Sequence, residues 1–357
     1  MKTSLRFAIL SAVGLLAVWA MADQRPVELM RNAVFVAKSP HDHRLMGEHY
    51  WLSSRELLAV VQTTEMVEEG AYYGFPYRLL RMRTDSRNHN FVHLPKKLER
   101  DGCDWAFSPD GTRILCETVN HNSTRSKIDG YSYYLCSLDG AARLVHNEAS
   151  DGIPSSPMAW LADGLRWVDT SDWEGNVRIR DLDRAPISKR IPEFAFHSDL
   201  LISEHPAVQL RGHIGSKVVD SITCGIWNPD SGRSQQRKIP TPIKGEVVDV
   251  ALSRNGQSLG WIIWVRDRSW VKSQIRRIPL LESIKPVTDS FQLWVTDLRG
   301  SGATRVGIKQ IVAKWDSTPS CFAPGWRFDG GFYNLEWLPD SRSASFTLDD
   351  SIYVVRI

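Results

Sequence analysis

Four histidines are the residues of this chain whose type and spacing could hold a metal ion. His41 and His43 flank Asp42, His49 follows shortly after them, and His205 lies in a polar segment far along the chain. A zinc site needs three or four converging ligands, and alternate residues of a strand share one face. No further Cys or His pair at a metal-binding spacing accompanies the cluster, so the sequence favours a polar surface loop without a metal. If a metal is bound, these four histidines are the candidate ligands.

Two other segments combine charged side chains with aromatic rings. The first places Glu65, Glu68 and Glu69 near two tyrosines and a phenylalanine, and the second surrounds a tryptophan with five basic residues. Aromatic and arginine side chains dominate the binding energy of protein interfaces, so these segments are candidate hot spots. The alternative is that both are solvated hairpins whose rings cover their own strands. The candidate binding residues are Tyr72, Tyr73, Phe75, Arg266, Arg268, Trp270, Arg276 and Arg277.

The sequence contains no motif for nucleophilic catalysis or nucleotide binding. It has no G-x-S-x-G elbow, no P-loop and no G-x-G-x-x-G that opens a helix, so no cofactor is predicted. The five cysteines include no C-x-x-C pair. Cys116 and Cys136 fall on neighbouring predicted strands and could form a disulfide in an oxidising compartment, but the simpler interpretation is that both are small core residues.

The elements that position these residues belong to a repeat, which a short turn sequence defines. Its clearest copy is Phe107-Ser108-Pro109-Asp110-Gly111; further copies begin at Trp160, Leu252 and Trp337, and weaker ones at Trp51 and Val208. Asp followed by Gly suits a type I turn whose last residue has a positive φ. Each unit leaves an apolar face that its neighbour covers, so the chain is predicted to be an array of such units.

Each unit is predicted to contain four strands, A to D, with the recurring turn between A and B. The runs that follow are rich in β-branched and aromatic residues, as strands are. Predicted B strands are Glu56–Gln62, Thr112–Thr118, Leu165–Thr170, Gly215–Ser221, Gln257–Val265 and Ser343–Leu348. Predicted C strands are Tyr77–Arg83, Tyr131–Leu138, Asn176–Asp181, Ile222–Trp227, Phe291–Thr296 and Ser351–Arg356.

The spacing of the units predicts an all-β fold, a six-bladed β-propeller of four-stranded antiparallel blades. The turn positions lie 44 to 56 residues apart, and the last gap of 85 contains an insertion between Arg266 and Ser290. A propeller blade needs about 40–50 residues. The chain ends after strand C of the last unit, so the N-terminal stretch Ala33–Ala37 is predicted to pair with Ser351–Arg356 and close the last blade.

These turns and strands resemble the repeats of TolB-like propellers, which are relatives of the WD-repeat proteins. The resemblance covers residues 33–357 and is clearest at Phe107, Trp160, Leu252 and Trp337, whereas the unit at Val208 lacks the Asp. It implies a propeller of a kind common in periplasmic and secreted bacterial proteins. The family includes binding modules and the propeller halves of peptidases, so the resemblance implies a fold and not an activity.

Most tryptophans are predicted to be structural. Trp51, Trp105, Trp160 and Trp337 recur near the end of strand A, where large rings fill the space between blades. The alternative is an aromatic platform for a sugar. The tryptophans that the repeat does not explain, and that could form such a platform, are Trp173, Trp270, Trp315 and Trp326.

The first 22 residues have the order of a secretory signal peptide. Lys2 and Arg6 precede the apolar run Phe7–Trp19, and Ala20-Met21-Ala22 is a cleavage sequence of the small-x-small type. An uncleaved N-terminal anchor is the alternative. We expect an exported, periplasmic or secreted monomer whose residues 23–357 form a single domain, with no membrane span after the leader.

The charge of the exported chain argues against nucleic acid as a partner. Cleavage would remove two of the 44 basic residues and none of the 41 acidic ones, which leaves a net charge of +1. The sequence therefore predicts a non-enzymatic protein-binding scaffold that uses the face bearing its B–C loops. The alternative is a hydrolase or lyase that acts on a polysaccharide or small molecule at the channel mouth, with paired carboxylates or a metal.

Overall fold

A computed structural model describes most of residues 33–357. Outside the described residues lie 1–32, 70–71, 75, 86–88, 122–127, 150–157, 162, 171–175, 183–186, 191–199, 204–208, 212–217, 229–230, 232, 267–288, 312–332 and 349–350. The described part is nearly all β-structure. One short helix, α1 (Lys96–Asp101), is present, which the sequence analysis did not predict. No helix in the described ranges is long and apolar enough to cross a membrane.

Most strands are short and pair antiparallel with their neighbours. In chain order they are β1 (Ala33–Lys38), β2 (His43–Ser53), β3 (Glu56–Thr63), β4 (Val67–Glu69), β5 (Tyr72–Gly74), β6 (Tyr77–Arg83), β7 (His89–Val92), β8 (Gly102–Phe107), β9 (Arg113–His121), β10 (Ile128–Ser137), β11 (Ala142–Ala149), β12 (Met158–Trp160), β13 (Arg166–Thr170), β14 (Asn176–Asp181), β15 (Ile187–Arg190), β16 (Leu200–Ser203), β17 (Gln209–Arg211), β18 (Val218–Trp227), β19 (Ser234–Leu252), β20 (Ser258–Arg266), β21 (Asp289–Asp297), β22 (Thr304–Ile311), β23 (Tyr333–Trp337), β24 (Ser343–Leu348) and β25 (Ser351–Arg356). The exceptions are the 19-residue strand β19 and the parallel pair β16 and β18, which depart from the predicted antiparallel blades.

Among the described residues these strands form the five blades of a β-propeller. Blade 1 is β2-β3-β6-β7, blade 2 is β8-β9-β10-β11, and blade 3 is β12-β13-β14-β15. Blade 4 is a seven-stranded sheet in the order β17-β16-β18-β19-β20-β21-β22, and blade 5 is β23-β24-β25-β1. The strands β4 and β5 form a separate hairpin within the connection between β3 and β6.

The predicted count of six blades was wrong, because the fourth and fifth sequence units share one sheet. The predicted strands Gly215–Ser221 and Ile222–Trp227 meet in the single strand β18 (Val218–Trp227), while residues 215–217 lie outside the described residues. The 19-residue strand β19 pairs with β18 through its first part and with β20 through its second part. Irregularities at Val219/Ser221 and at Val247/Asp249 interrupt the two ladders. Such bulges bend and twist a strand, which lets one long strand serve both neighbours.

Blade 5 combines strands from both ends of the described chain. β1 is antiparallel to β25, with Ala33 opposite Val355 and Lys38 opposite Ser351. The four strands of this blade are therefore held together partly by hydrogen bonds between distant segments of sequence. That this pairing seals a closed ring stays a prediction.

The recurring turn has the same geometry in its four clear copies. The residue after the aromatic or apolar residue accepts a bond from the amide three positions later, as in Gly111 N to Ser108 O (2.8 Å) and Gly256 N to Ser253 O (2.8 Å). The fourth turn residue has a positive φ in every copy, at Gly111, Gly164, Gly256 and Ser341. The positive φ predicted for this position is confirmed.

The carboxylates of the turns make the free energy of unfolding depend on pH. Burial alone would raise the pKa of Asp110, but hydrogen bonds from Ser108 and Thr112 and the charge of Arg113 lower it below its ordinary value of 3.8. A carboxylate with a lowered pKa stabilises the fold above the unfolded pKa, and this contribution is lost as the pH falls through the folded pKa. We expect the free energy of unfolding to drop as the pH falls below about 4, and Asp110→Asn to make the drop shallower. Urea titrations at several pH values test this, and an unchanged slope in the variant would contradict it.

Tryptophan indoles tie neighbouring blades together, as their recurrence predicted. Trp160 Nε1 donates to Ala106 O of blade 2 (3.0 Å), and Trp337 Nε1 donates to Ala251 O of blade 4 (2.9 Å). Both rings are buried. In each case the accepting carbonyl lies one residue before the turn of the preceding blade, so the bond is a repeated feature of the fold.

The equivalent bond between blades 5 and 1 runs through a serine hydroxyl. Trp51 Nε1 donates to Ser345 Oγ (2.8 Å), and Ser345 Oγ donates to Glu336 O (3.2 Å), the carbonyl that corresponds to Ala106 and Ala251. His49 Nε2 also lies 2.7 Å from Ser345 Oγ. Trp51, Ser345 and His49 are all buried. This seam therefore contains a buried polar network where the other two contain a direct bond.

The cysteines Cys116 and Cys136 lie on neighbouring strands but are free thiols in the apolar interior. Burial raises the pKa of Cys136 to about 12. Both side chains pack as small apolar residues between blades 1 and 2, together with Leu58 and Ile114.

Candidate interaction face

The two ends of the propeller differ in the length of their connections. Because neighbouring strands are antiparallel, A–B and C–D connections lie at one end and B–C and D–A connections at the other. We call these the A–B face and the B–C face. The A–B connections are short, such as those between β2 and β3 and between β8 and β9. The longest connections, residues 64–76, 267–288 and 312–332, all join strand ends that lie at the B–C face.

Part of the predicted binding set can be placed on the B–C face. Tyr72 and Tyr73 lie in β5, in the connection between β3 and β6, opposite Glu69 and Glu68 of β4. Met66, which the sequence analysis did not single out, enters this hairpin with 46% of its surface exposed. Phe75, Arg268, Trp270, Arg276 and Arg277 lie outside the described residues.

Arg266 is the last residue of β20, at the B–C face, and its side chain contacts other residues of blade 4. Its Nε lies 3.0 Å from Glu246 Oε1, and the carboxylate of Glu246 is buried. The guanidinium also lies 4.1 Å from the ring centroid of Trp264, which stacks on Phe291. Reversing the charge of Arg266 would place a second carboxylate against Glu246, so such a variant would test folding as much as binding.

The histidines do not converge in the described part of the chain. His41 is exposed in a turn, while His43 is buried with its Nδ1 2.8 Å from Asp42 Oδ1. His49 lies farther along β2 and contacts Ser345 of blade 5. His205 lies outside the described residues. Within those ranges no three His, Cys, Asp or Glu side chains are grouped as a metal would need.

The tryptophans proposed as a sugar platform, Trp173, Trp270, Trp315 and Trp326, all lie outside the described residues. Most aromatic rings among the described residues pack against other side chains. Trp51, Trp105, Trp160 and Trp337 are buried, as the repeat predicted.

The A–B face contains a cluster that sequence reasoning missed. Arg254, in the turn between β19 and β20, donates from Nη2 to Trp51 O of blade 1 (2.7 Å). Its guanidinium lies 4.4 Å from the ring centroid of Tyr50, which in turn stacks on Phe107 of blade 2 at 5.2 Å. The sequence signal was present, because Arg254 occupies the turn position that Pro109 occupies in the clearest copy.

The electrostatics of Tyr50 reflect its position in this cluster. Burial raises the pKa of the Tyr50 hydroxyl, and the neighbouring charge of Arg254 opposes that rise. The hydroxyl donates to Pro109 O at 3.2 Å. Tyr50 therefore remains a neutral hydrogen-bond donor at physiological pH, because its pKa lies above the ordinary value of 10.0.

Other contacts connect the A–B turns to one another. Asn255 N of blade 4 donates to Ser341 Oγ of blade 5 (3.1 Å), and Arg113 Nη2 of blade 2 donates to Gly164 O of blade 3 (2.6 Å). The A–B face is thus formed by short turns whose polar groups bond to each other. The long connections lie at the opposite face.

Several solved structures are similar to this chain. The chain is similar to the tricorn protease (12% identity, TM-score 0.49), covering 88% of this chain and about a quarter (25%) of that one. It is similar to a putative TolB from Agrobacterium tumefaciens (13% identity, TM-score 0.43, 91% and 97% coverage). It is also similar to the β-propeller domain of Cps50 (Swd1) from Myceliophteria thermophila (10% identity, TM-score 0.46, 91% and 99% coverage). No family model and no curated protein matches the sequence. These likenesses concern the fold alone, and the five blades rest on the observed strand order.

Proposed function

We propose that the protein is an exported, non-enzymatic scaffold that binds another protein through its B–C face. The observation that carries this proposal is the asymmetry between the two faces. Long connections concentrate at the B–C face, where binding residues accumulate in scaffolds of this kind. The turns of the A–B face are short, and several of their polar groups bond to neighbouring blades.

The composition of the long connections supports a protein as the partner. Residues 64–76 combine acidic side chains with Tyr72, Tyr73 and Phe75, and residues 267–288 combine Trp270 with arginines. Aromatic anchors surrounded by charge are typical of protein interfaces. Arg266 supports this surface indirectly, since it holds Trp264 and Glu246 at the base of the second connection.

Site-specific photo-cross-linking in the cells that produce the protein tests the choice of face. Met66 is replaced by a photoreactive phenylalanine analogue on the B–C face, and Leu165 is replaced in the same way on the A–B face. The two positions are similarly exposed, at 46% and 56%. We expect discrete protein adducts from position 66 and none from position 165.

Equal adducts from both positions, or adducts from position 165 alone, would overturn the choice of face. The same samples test export, because fractionation should recover the protein outside the cytoplasm with Asp23 as its first residue. Recovery from the cytoplasm with an intact leader would contradict export without affecting the choice of face.

A further inference from the structure

We propose that Arg254 is a clasp that limits opening of the seam between blades 1 and 5. The seam is the surface where β2 of blade 1 packs against β23 and β24 of blade 5, and it includes Trp51 and Ser345. Arg254 belongs to neither of these blades. It reaches past blade 5 from the A–B turn of blade 4 and binds the carbonyl of Trp51.

The position of the clasp matters because blade 5 is assembled from distant parts of the chain. β1 is joined to β25 by strand pairing, and it continues through a short connection into β2 of blade 1. Movement of blade 1 away from blade 5 would therefore pull β1 away from β25. A contact that links blade 4 directly to blade 1 resists that movement.

The contacts of Arg254 are directional and span three blades. One nitrogen donates to Trp51 O, while the planar guanidinium covers the ring of Tyr50 at 4.4 Å. Tyr50 in turn contacts blade 2, because its ring stacks on Phe107 and its hydroxyl donates to Pro109 O. The next turn residue, Asn255, donates to Ser341 of blade 5. The same turn of blade 4 thus binds both sides of the seam.

The chemistry of arginine suits this role better than that of lysine. Its planar group can donate in its own plane and stack with its face at the same time. Cation–π contacts gain strength when they are partly shielded from water. Lysine would keep the charge but could not make both contacts in one fixed geometry.

Amide hydrogen exchange of the purified protein, followed by mass spectrometry, tests the clasp. Local opening of a segment raises the exchange rate of its amides without unfolding the rest. In Arg254→Met we expect exchange in β1, β25 and β2 to be roughly 10- to 100-fold faster, the range that corresponds to losing one charge-assisted hydrogen bond. Exchange in β13 and β14 of blade 3 should not change.

Two further variants complete the experiment. Arg299→Met is the matched control, because Arg299 lies in an exposed turn of the same blade and the same face, and wild-type exchange is expected. Arg254→Lys keeps the cation and is expected to fold and to raise exchange at the seam by a smaller factor. Wild-type exchange at the seam in both Arg254 variants would overturn the proposal, as would acceleration spread equally over all blades.

Discussion

Ser345→Ala is expected to lower the free energy of unfolding by roughly 2–4 kcal/mol, a large loss for the removal of one oxygen atom. With the proton on His49 Nε2, Ser345 Oγ accepts from His49 and from Trp51 and donates to Glu336 O. Every hydrogen-bonding position of the hydroxyl is then used. Alanine would leave two buried donors without this acceptor, and each such group costs about 1–3 kcal/mol.

Urea denaturation measures the effect, and Ser343→Ala is its control on the same strand. Ser343 is only partly buried, and its hydroxyl bonds to Asp340 in an exposed turn (3.1 Å). Its removal should change stability by no more than about 0.5 kcal/mol. Similar losses in the two variants would show that the network between blades 1 and 5 contributes nothing beyond an ordinary surface hydroxyl.

The strands of single blades could be predicted because each one is locally encoded. Ser343–Leu348 and Ser351–Arg356 were predicted with the bounds that the structure gives them. Their pattern of apolar and β-branched residues, together with the turn before them, fixes both ends. The recurrence of tryptophan near the end of strand A likewise predicted that Trp160 and Trp337 lie between neighbouring blades.

The number of blades could not be predicted in this way, because it depends on pairing between strands. β18 reads as two short runs in the sequence, and only its continuous ladder with β19 shows that it is one strand. Whether β19 ends one blade or also begins another is decided by its bulges and its partners. Turn motifs indicate where the chain reverses between two strands, but they do not indicate which strands pair in the same sheet.

The location of the candidate site stays a prediction, which the lengths of the loops suggested. Tyr72 lies in the connection between β3 and β6, and Arg266 ends β20, so both lie at strand connections of the B–C face. The roles of Arg266, Arg254 and Ser345 depend on contacts with Glu246, Trp51 and other residues distant in sequence. The spacing of residues along the sequence does not predict contacts of this kind.

Gly140→Ala is expected to be among the most destabilising substitutions in the chain, although it adds a single methyl group. Gly140 ends the turn between β10 and β11 with a φ of +90°, a conformation that costs other residues about 1–2 kcal/mol. A Cβ at this position would overlap His93 O, a backbone atom in the connection between blades 1 and 2. Since the overlap is with backbone atoms and not with the end of a flexible side chain, we expect the total loss to exceed about 3 kcal/mol.

Gly256→Ala separates the two parts of this cost. Gly256 also has a positive φ (+70°), but a Cβ there would meet no atom within 4 Å. Its substitution should cost only the conformational part, about 1–2 kcal/mol. Thermal and urea unfolding of both variants measure the difference. If Gly140→Ala were no more destabilising than Gly256→Ala, blade 2 would not be pressed against the segment at His93, and the packing of α1 and its flanking residues between blades 1 and 2 would be looser than the contacts indicate.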